Sequence, residues 1–242
     1  LNFSLKPEIS IDLKGEPILM GLEGQVSPKE VGISSEMKMF GGNLNTNIEV
    51  AYLAKTYQVS SYKIGSLINN LTIKKEWLDK FSKEEKKESL SSDNQGSDTT
   101  VKPVASKKEV AKDPAFPKGN MALTIQNSHV EGLKLGGLIN IMTNRNIVEI
   151  KNSSLRIGQG KTSFESKTKL TVKDTETTFR ASLTDLNIKS FNSFLPKKVK
   201  GTEGVFSGTF SGKTKSSNSA KSSYDVLIDL SGRNGSLKGI NI

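Results

Sequence analysis

Cysteine is absent from the 242-residue chain, and histidine occurs once, at His129. Without thiols there can be no disulfide, no thiol nucleophile and no thiolate metal site. One imidazole cannot build a histidine metal cluster or a histidine-rich catalytic constellation. Aromatic residues make up 6% of the chain and apolar residues 34%. So low an apolar share fits sheets with one wet face, a segment that buries nothing, or both. No apolar run approaches the ~18 residues of a membrane-spanning helix, and no secretory leader opens the sequence. The chain begins at Leu1, without methionine and already in strand-like alternation, and stops at Ile242 inside a similar pattern. It reads as a piece of a longer protein.

Signatures of catalysis are equally scarce. Two stretches invite a phosphate-loop reading, Gly208 to Thr214 (GTFSGKT) and Gly158 to Thr162 (GQGKT). A P-loop needs four residues between its first glycine and the Gly-Lys pair, so that successive amides wrap the phosphates ahead of a helix. The first stretch has three, and the second has Leu155 where that glycine should stand. A glycine-kinked strand and a tight turn explain them. Asp225 and Asp229 fall on the polar side of an alternating run, where solvation accounts for them, and no G-x-S-x-G elbow occurs. The expectation is a protein that is not an enzyme and uses no cofactor or metal.

What the chain does have is positive charge and alternation. Net charge is +10, carried mostly by lysines scattered along polar strand faces. Contact with an anionic membrane surface is compatible with this balance. Nucleic acid is not the expected partner, because no arginine cluster is interleaved with aromatics. Period-two patterning begins with Phe3 and Leu5 and continues beyond Pro7 through Ile9, Ile11 and Leu13. Leu44, Ile48, Val50 and Tyr52 point one way, and Asn45, Asn47 and Glu49 the other. A helical turn is expected around Leu67, Ile68 and Leu71, then a short amphipathic helix bearing Trp77, Leu78 and Phe81. From Ser82 to Lys118 the composition turns to Lys, Glu, Ser, Asp and Thr with three prolines, which predicts a disordered linker or insertion.

Alternation resumes from Met121, Leu123 and Ile125. Phe164, Leu170 and Val172 share parity, as do Phe179, Ala181 and Leu183. Phe191, Phe194 and Leu195 mark a second helical cap before Pro196. The two halves echo each other. Tyr57 corresponds to Phe179, Ile64 to Ile188, Ser66 to Ser190 and Leu71 to Leu195, each copy following a glycine corner (Gly41-Gly42; Gly158 and Gly160). Such units bury little alone and stack into an extended sheet.

The ordered combination of MKMFGGNLNTNIEV, YQVSSYKIGSLINNL, TTFRASLTDLNIKSFNSFLPKKVKGTEGVFSGTFSG and LIDLSGRNGSLKGINI resembles the AsmA family of bacterial envelope proteins, relatives of TamB-like proteins. Met39-Phe40-Gly41-Gly42 matches that family's aromatic-Gly-Gly corner. Asn234 to Ile242 matches its terminal strand, with Asn241 where an acidic residue is expected. The match covers most of residues 1–81 and 119–242.

The resemblance implies a strongly curved antiparallel sheet of repeated strands forming an apolar groove, with two or three short helices. Residues 1–81 and 119–242 would be its two parts, separated by the 82–118 insertion. It further implies a periplasmic, non-enzymatic lipid-binding or lipid-transfer role in outer-membrane biogenesis. Phospholipid acyl chains would be shielded between inner and outer membranes, and an inner-membrane helix would belong to the parent protein. Alternation by itself says only that one face is apolar, which suits a groove or the core of a β-sandwich. The expected groove wall is Phe3, Leu5, Ile48, Val50, Tyr57, Val59, Phe164, Leu170, Phe179, Leu183, Val226, Ile228 and Leu230. The competing reading is an envelope scaffold or chaperone that binds client proteins through an open sheet edge.

Overall fold

The computed structural model describes residues 2–13, 15–53, 55–56, 58–77, 115–192, 201–217 and 222–236. Nearly all of them are strand. The first half runs β1 (Asn2–Leu13), β2 (Glu16–Val26), β3 (Glu30–Met39), β4 (Gly42–Leu53), β5 (Gln58–Asn69) and the two-residue β6 (Thr72–Ile73). The second runs β7 (Phe116–Val130), β8 (Leu133–Arg145), β9 (Ile147–Ile157), β10 (Gly160–Leu170), β11 (Asp174–Asn187), β12 (Glu203–Ser217) and β13 (Ser223–Ser236). They form one 13-stranded sheet, ordered as in sequence apart from β6, which pairs with β7. The sheet is open and curved, not closed into a barrel.

The strands follow from period-two patterning, and the turns from residues that tolerate a left-handed backbone. Phe40-Gly41 (φ 48° and 69°) and Glu131-Gly132 (φ 54° and 74°) make two-residue hairpins whose twist suits the flanking strands. Irregularities in the ladder carry the appropriate chemistry. Pro7 lies within the register shift between Leu5 and Ile9, and Pro117 within that between Phe116 and Gly119. There the missing N–H costs the ladder nothing. Asn127, Asn152 and Asp185 take positive φ at three other shifts, as short polar side chains can. Bulges of this kind bend a sheet and increase its twist.

Four expectations need correction. Leu67 and Ile68 belong to β5, not to a helical turn, because β5 is hydrogen-bonded on both sides, to β4 and β7. Asn70, at φ 58°, ends the strand. The insertion yields to strand at Phe116, ahead of Lys118, and Val172 lies in the bend after β10 instead of within it. The sheet is also not wholly antiparallel: β5 and β7 run parallel where the two halves meet. A parallel junction needs a connection of a dozen residues or more, and residues 70–115 supply it.

Helix is confined, among the described residues, to a turn at 75–77 and a 3₁₀ turn, Ile188–Phe191. Leu78 and Phe81 of the expected amphipathic helix, and Phe194 and Leu195 of the second cap, lie outside the described residues. So does most of the 82–118 segment.

The described residues form a single layer. Close backbone approach joins ladder neighbours only, apart from the contact of the 3₁₀ turn with β12. Among the described residues the apolar side chains with less than a tenth of their surface exposed are Ile18, Phe40 and Leu133, and no large side chain is fully buried. A β-sandwich would bury a row of inward residues from each of two sheets. The described residues contain no such pair of sheets.

Candidate functional site

Because residues opposite each other in a ladder share a face, the register assigns faces across the whole sheet. One lateral row runs Phe3, Gly24, Ile33, Ile48, Ile64, Met121, Ile141, Ile150, Ser166, Phe179, Gly212 and Val226. A second, on the same face, runs Ile9, Met20, Met37, Leu44, Ile68, Ile125, Gly137, Leu155, Thr162, Leu183, Gly208 and Leu230. Each crosses the twelve strands of the ordered path. At about 4.8 Å between strands, a row is on the order of 50 Å long.

By backbone register, the expected wall positions that are described share this face. Phe3, Ile48, Phe179 and Val226 are in the first row, and Leu183 and Leu230 in the second. Leu5 pairs with Leu22, and Val50 with Val31 and Tyr62. Phe164, Ala181, Phe210 and Ile228 form a shorter row between the two long ones. Leu170, opposite Thr175, lies farther along the same strands. Val59 joins through a bulge: Ala51 faces Ser61 but Tyr52 faces Val59, leaving Ser60 as the extra residue. Its hydroxyl donates to the Ala51 carbonyl (3.0 Å). Tyr57 lies outside the described residues.

The interruptions in the rows are mostly glycines, set where a neighbouring strand comes close. A Cβ on Gly212 would meet the Asp225 carbonyl oxygen at 2.5 Å and the Phe179 ring at 2.9 Å. One on Gly208 would meet the Asp229 carbonyl oxygen and, at 2.7 Å, Leu230 Cδ2, and one on Gly137 the Ser154 carbonyl oxygen and, at 3.1 Å, Leu155 Cδ2. At Gly119 the Tyr62 ring occupies that position. Tyr62 crosses Gly119 to donate its hydroxyl to Thr143 Oγ1 (2.8 Å), which donates in turn to the Pro117 carbonyl (2.8 Å). The opposite face differs. Gly21, Gly32 and Gly65 have nothing within 4 Å of a hypothetical Cβ.

That opposite face is polar and charged. Glu149 is bridged by Lys151 (2.9 Å) and by Lys167 across the ladder (3.2 Å). Their hydrogen bonds, Lys151 first, hold its carboxyl below the ordinary carboxylate range. Asp174 is lowered as well, mainly by a hydrogen bond from Ser217, with Lys215 assisting. Lys215 is raised, first by its hydrogen bond to Glu176 and then by the charge of Asp174. Asp225 and Asp229 are exposed on this face, opposite Lys213 and Thr209. His129 is in β7, opposite Lys134 of β8 and Thr72 of β6.

The β3–β4 corner carries an aromatic contact. Phe40 packs edge-on against Trp77, with ring centroids 4.4 Å apart. The chain leaving β5 crosses there, with Thr72 N–H donating to the Phe40 carbonyl (3.0 Å) and His129 N–H to that of Leu71 (2.7 Å). At the corresponding corner of the second half, a Cβ on Gly158 would lie 3.3 Å from Leu133 Cδ1 and 3.8 Å from Ser190 Oγ.

Ile141 and Ile150 are the row members least visible from parity. β8 is apolar on both parities, and β9 carries a bulge at Asn152 that puts Ile150 and Leu155 on one face despite their odd spacing. Phe210, opposite Ile228, was legible as an alternating partner of Phe206. Among the described residues there is no grouping of three or more potential metal ligands and no helix long and apolar enough to cross a membrane. Comparison of the chain with models of known families, with curated proteins and with solved structures finds no match in any of the three.

Proposed function

We propose that this chain is a non-enzymatic lipid-binding or lipid-transfer module that shields phospholipid acyl chains along the apolar face of its sheet. In line with its resemblance to the AsmA family, its setting is the periplasm and its task the movement of phospholipid between inner and outer membranes. The observation that supports this reading is the pair of long, largely apolar rows on one face of an open sheet, with no second sheet over them among the described residues. A row across the strands, not along them, gives an extended chain a continuous apolar contact. Each methylene so covered is worth about 0.8 kcal/mol.

Leu183→Glu tests it. Residue 183 is half-buried in the second row, between Thr162 and Gly208. A carboxylate sealed in a core would cost several kcal/mol. On a face open to water it stays solvated and only spoils the apolar contact. The expected outcome is a variant that melts within a few degrees of wild type but copurifies with less phospholipid, counted by native mass spectrometry. Wild-type protein free of lipid, together with a Leu183→Glu variant that fails to fold, refutes the proposal.

The edge strand supports the scaffold reading as a second one. Along β13, Leu227 is 70% exposed and Ile228 57%, on opposite faces of a strand whose outer side has no partner among the described residues. Such an edge can accept an added strand. A photo-crosslinking residue at position 179 labels lipid under the first reading. One at 227 labels an extended client peptide under the second.

A further inference from the structure

We propose that the polar face carries an anion site, built by Lys134, Arg156 and Lys161, that takes a phosphate group. β8, β9 and β10 bring these residues together: Gly136 faces Arg156, Arg156 faces Lys161, and Lys134 lies two residues before Gly136 on the same face. The side chain missing at Gly136 leaves a hollow between the cations. A Cβ there would meet only the Ile125 carbonyl oxygen, at 3.5 Å. The hollow has a volume of about 450 Å³, within the usual ~300–1,000 Å³ of small-ligand sites. Its remaining polar lining comes from Gln126, Asn127 and Ser154, and no carboxylate contributes.

That last point sets it apart. Three other hollows of the sheet hold charges of both signs: Glu23 and Glu36 beside Lys38, Glu49 beside Lys63, and Glu149 and Glu165 beside Lys151, Lys167 and Arg180. Among the described residues no ion pair involves Lys134, Arg156 or Lys161. Three like charges around one concavity repel each other, and an anion seated between them removes that repulsion. A guanidinium, two ammonium groups and neutral amide donors suit the several acceptor oxygens of a phosphate. The site lies on the face opposite the apolar rows and stands independently of the acyl-chain reading.

The source of the phosphate, free ion or lipid headgroup, is separated by titrating the intact protein with two probes. One is inorganic phosphate; the other is dihexanoyl phosphatidic acid below its micellar concentration. Binding of both, weakened at least about tenfold in Arg156→Gln/Lys161→Gln, establishes a general phosphate site. Binding of the lipid alone, with the same loss, assigns the site to headgroups. Lys169→Gln/Lys213→Gln removes equal charge from the same face and is expected to leave affinity within about twofold, since exposed charges at a distance are screened. Thermal melts of both double variants are expected to match wild type, because all four side chains are exposed. No binding of either probe, or equal weakening by the two double variants, overturns the proposal.

Discussion

Gly119 and Gly65 are both strand glycines with ordinary φ, yet they serve opposite purposes. Gly119 is the seat of the Tyr62 ring, whereas a side chain at Gly65 would meet open space. Gly119→Ala is therefore expected to lift Tyr62 off Thr143 and cost about 1–3 kcal/mol. Gly65→Ala is expected to gain about 0.5 kcal/mol by restricting the unfolded chain. Denaturant melts of the two variants check the contrast; equal effects would mean that the two faces are not differently packed. Alternation in the sequence marked which residues share a face. It carried no sign that glycines opposite large side chains act as their seats, because that pairing exists only once strands are in register.

The charged groups at this scale make a pH prediction. Glu149 has a folded-state pKa below its unfolded value, so its stabilisation is present above the unfolded pKa and lost as pH falls through the folded one. Glu149→Gln is expected to flatten the decline in melting temperature on the acid side. The change should be small and should shrink in salt, since Lys151 and Lys167 are half exposed. Lys215 works in the other direction. Its raised pKa contributes stability below its unfolded pKa, which is lost as pH climbs through the folded value.

Among the elements, the β3–β4 corner shows local preference being overruled. A phenylalanine at φ 48° is strained, and Phe40 holds that conformation with its ring buried against Trp77. Trp77 is the chain's single tryptophan, so its emission reports on this corner. Phe40→Ala is expected to red-shift that emission and to cost about 2–4 kcal/mol in lost packing; alanine keeps the Cβ, so the strain at φ 48° stays. Unchanged emission would show that the two rings do not pack. The aromatic-Gly-Gly motif made the corner legible in advance. The helical turn expected at Leu67 and Ile68 was not there, since local apolar spacing cannot register that β5 has a ladder on both sides. The parallel junction was likewise invisible, because pairing across a long insertion leaves no trace in periodicity.

The molecule as a whole behaves as a stack in one dimension. Each strand leans on its two neighbours, as in solenoids, so stability is close to a sum of adjacent-pair terms. Amide hydrogen exchange is expected to be fastest at β1 and β13 and slowest near β7 and β8, in the middle of the path. Uniform protection would show a closed cooperative core instead. Mostly antiparallel β architecture could be read from the sequence; that the described residues hold no covering layer could not, because an apolar face looks the same whether a second sheet or a ligand covers it.

The parallel seam between β5 and β7 has a consequence in time. The other junctions along the path join strands adjacent in sequence, most of them through a short turn from which the pair can zip. At the seam the chain must first close a loop through residues 70–115. Loop-closure entropy grows slowly with length, by about 0.6 kcal/mol per doubling, so the seam's late formation would owe more to its non-local contacts than to the size of the insertion. Folding would then proceed as two hairpin stacks that meet last. During that interval each exposes the strand along which the other will dock, and a stack from a second chain can take that place. Refolding at rising protein concentration is where such exchanged dimers would be found.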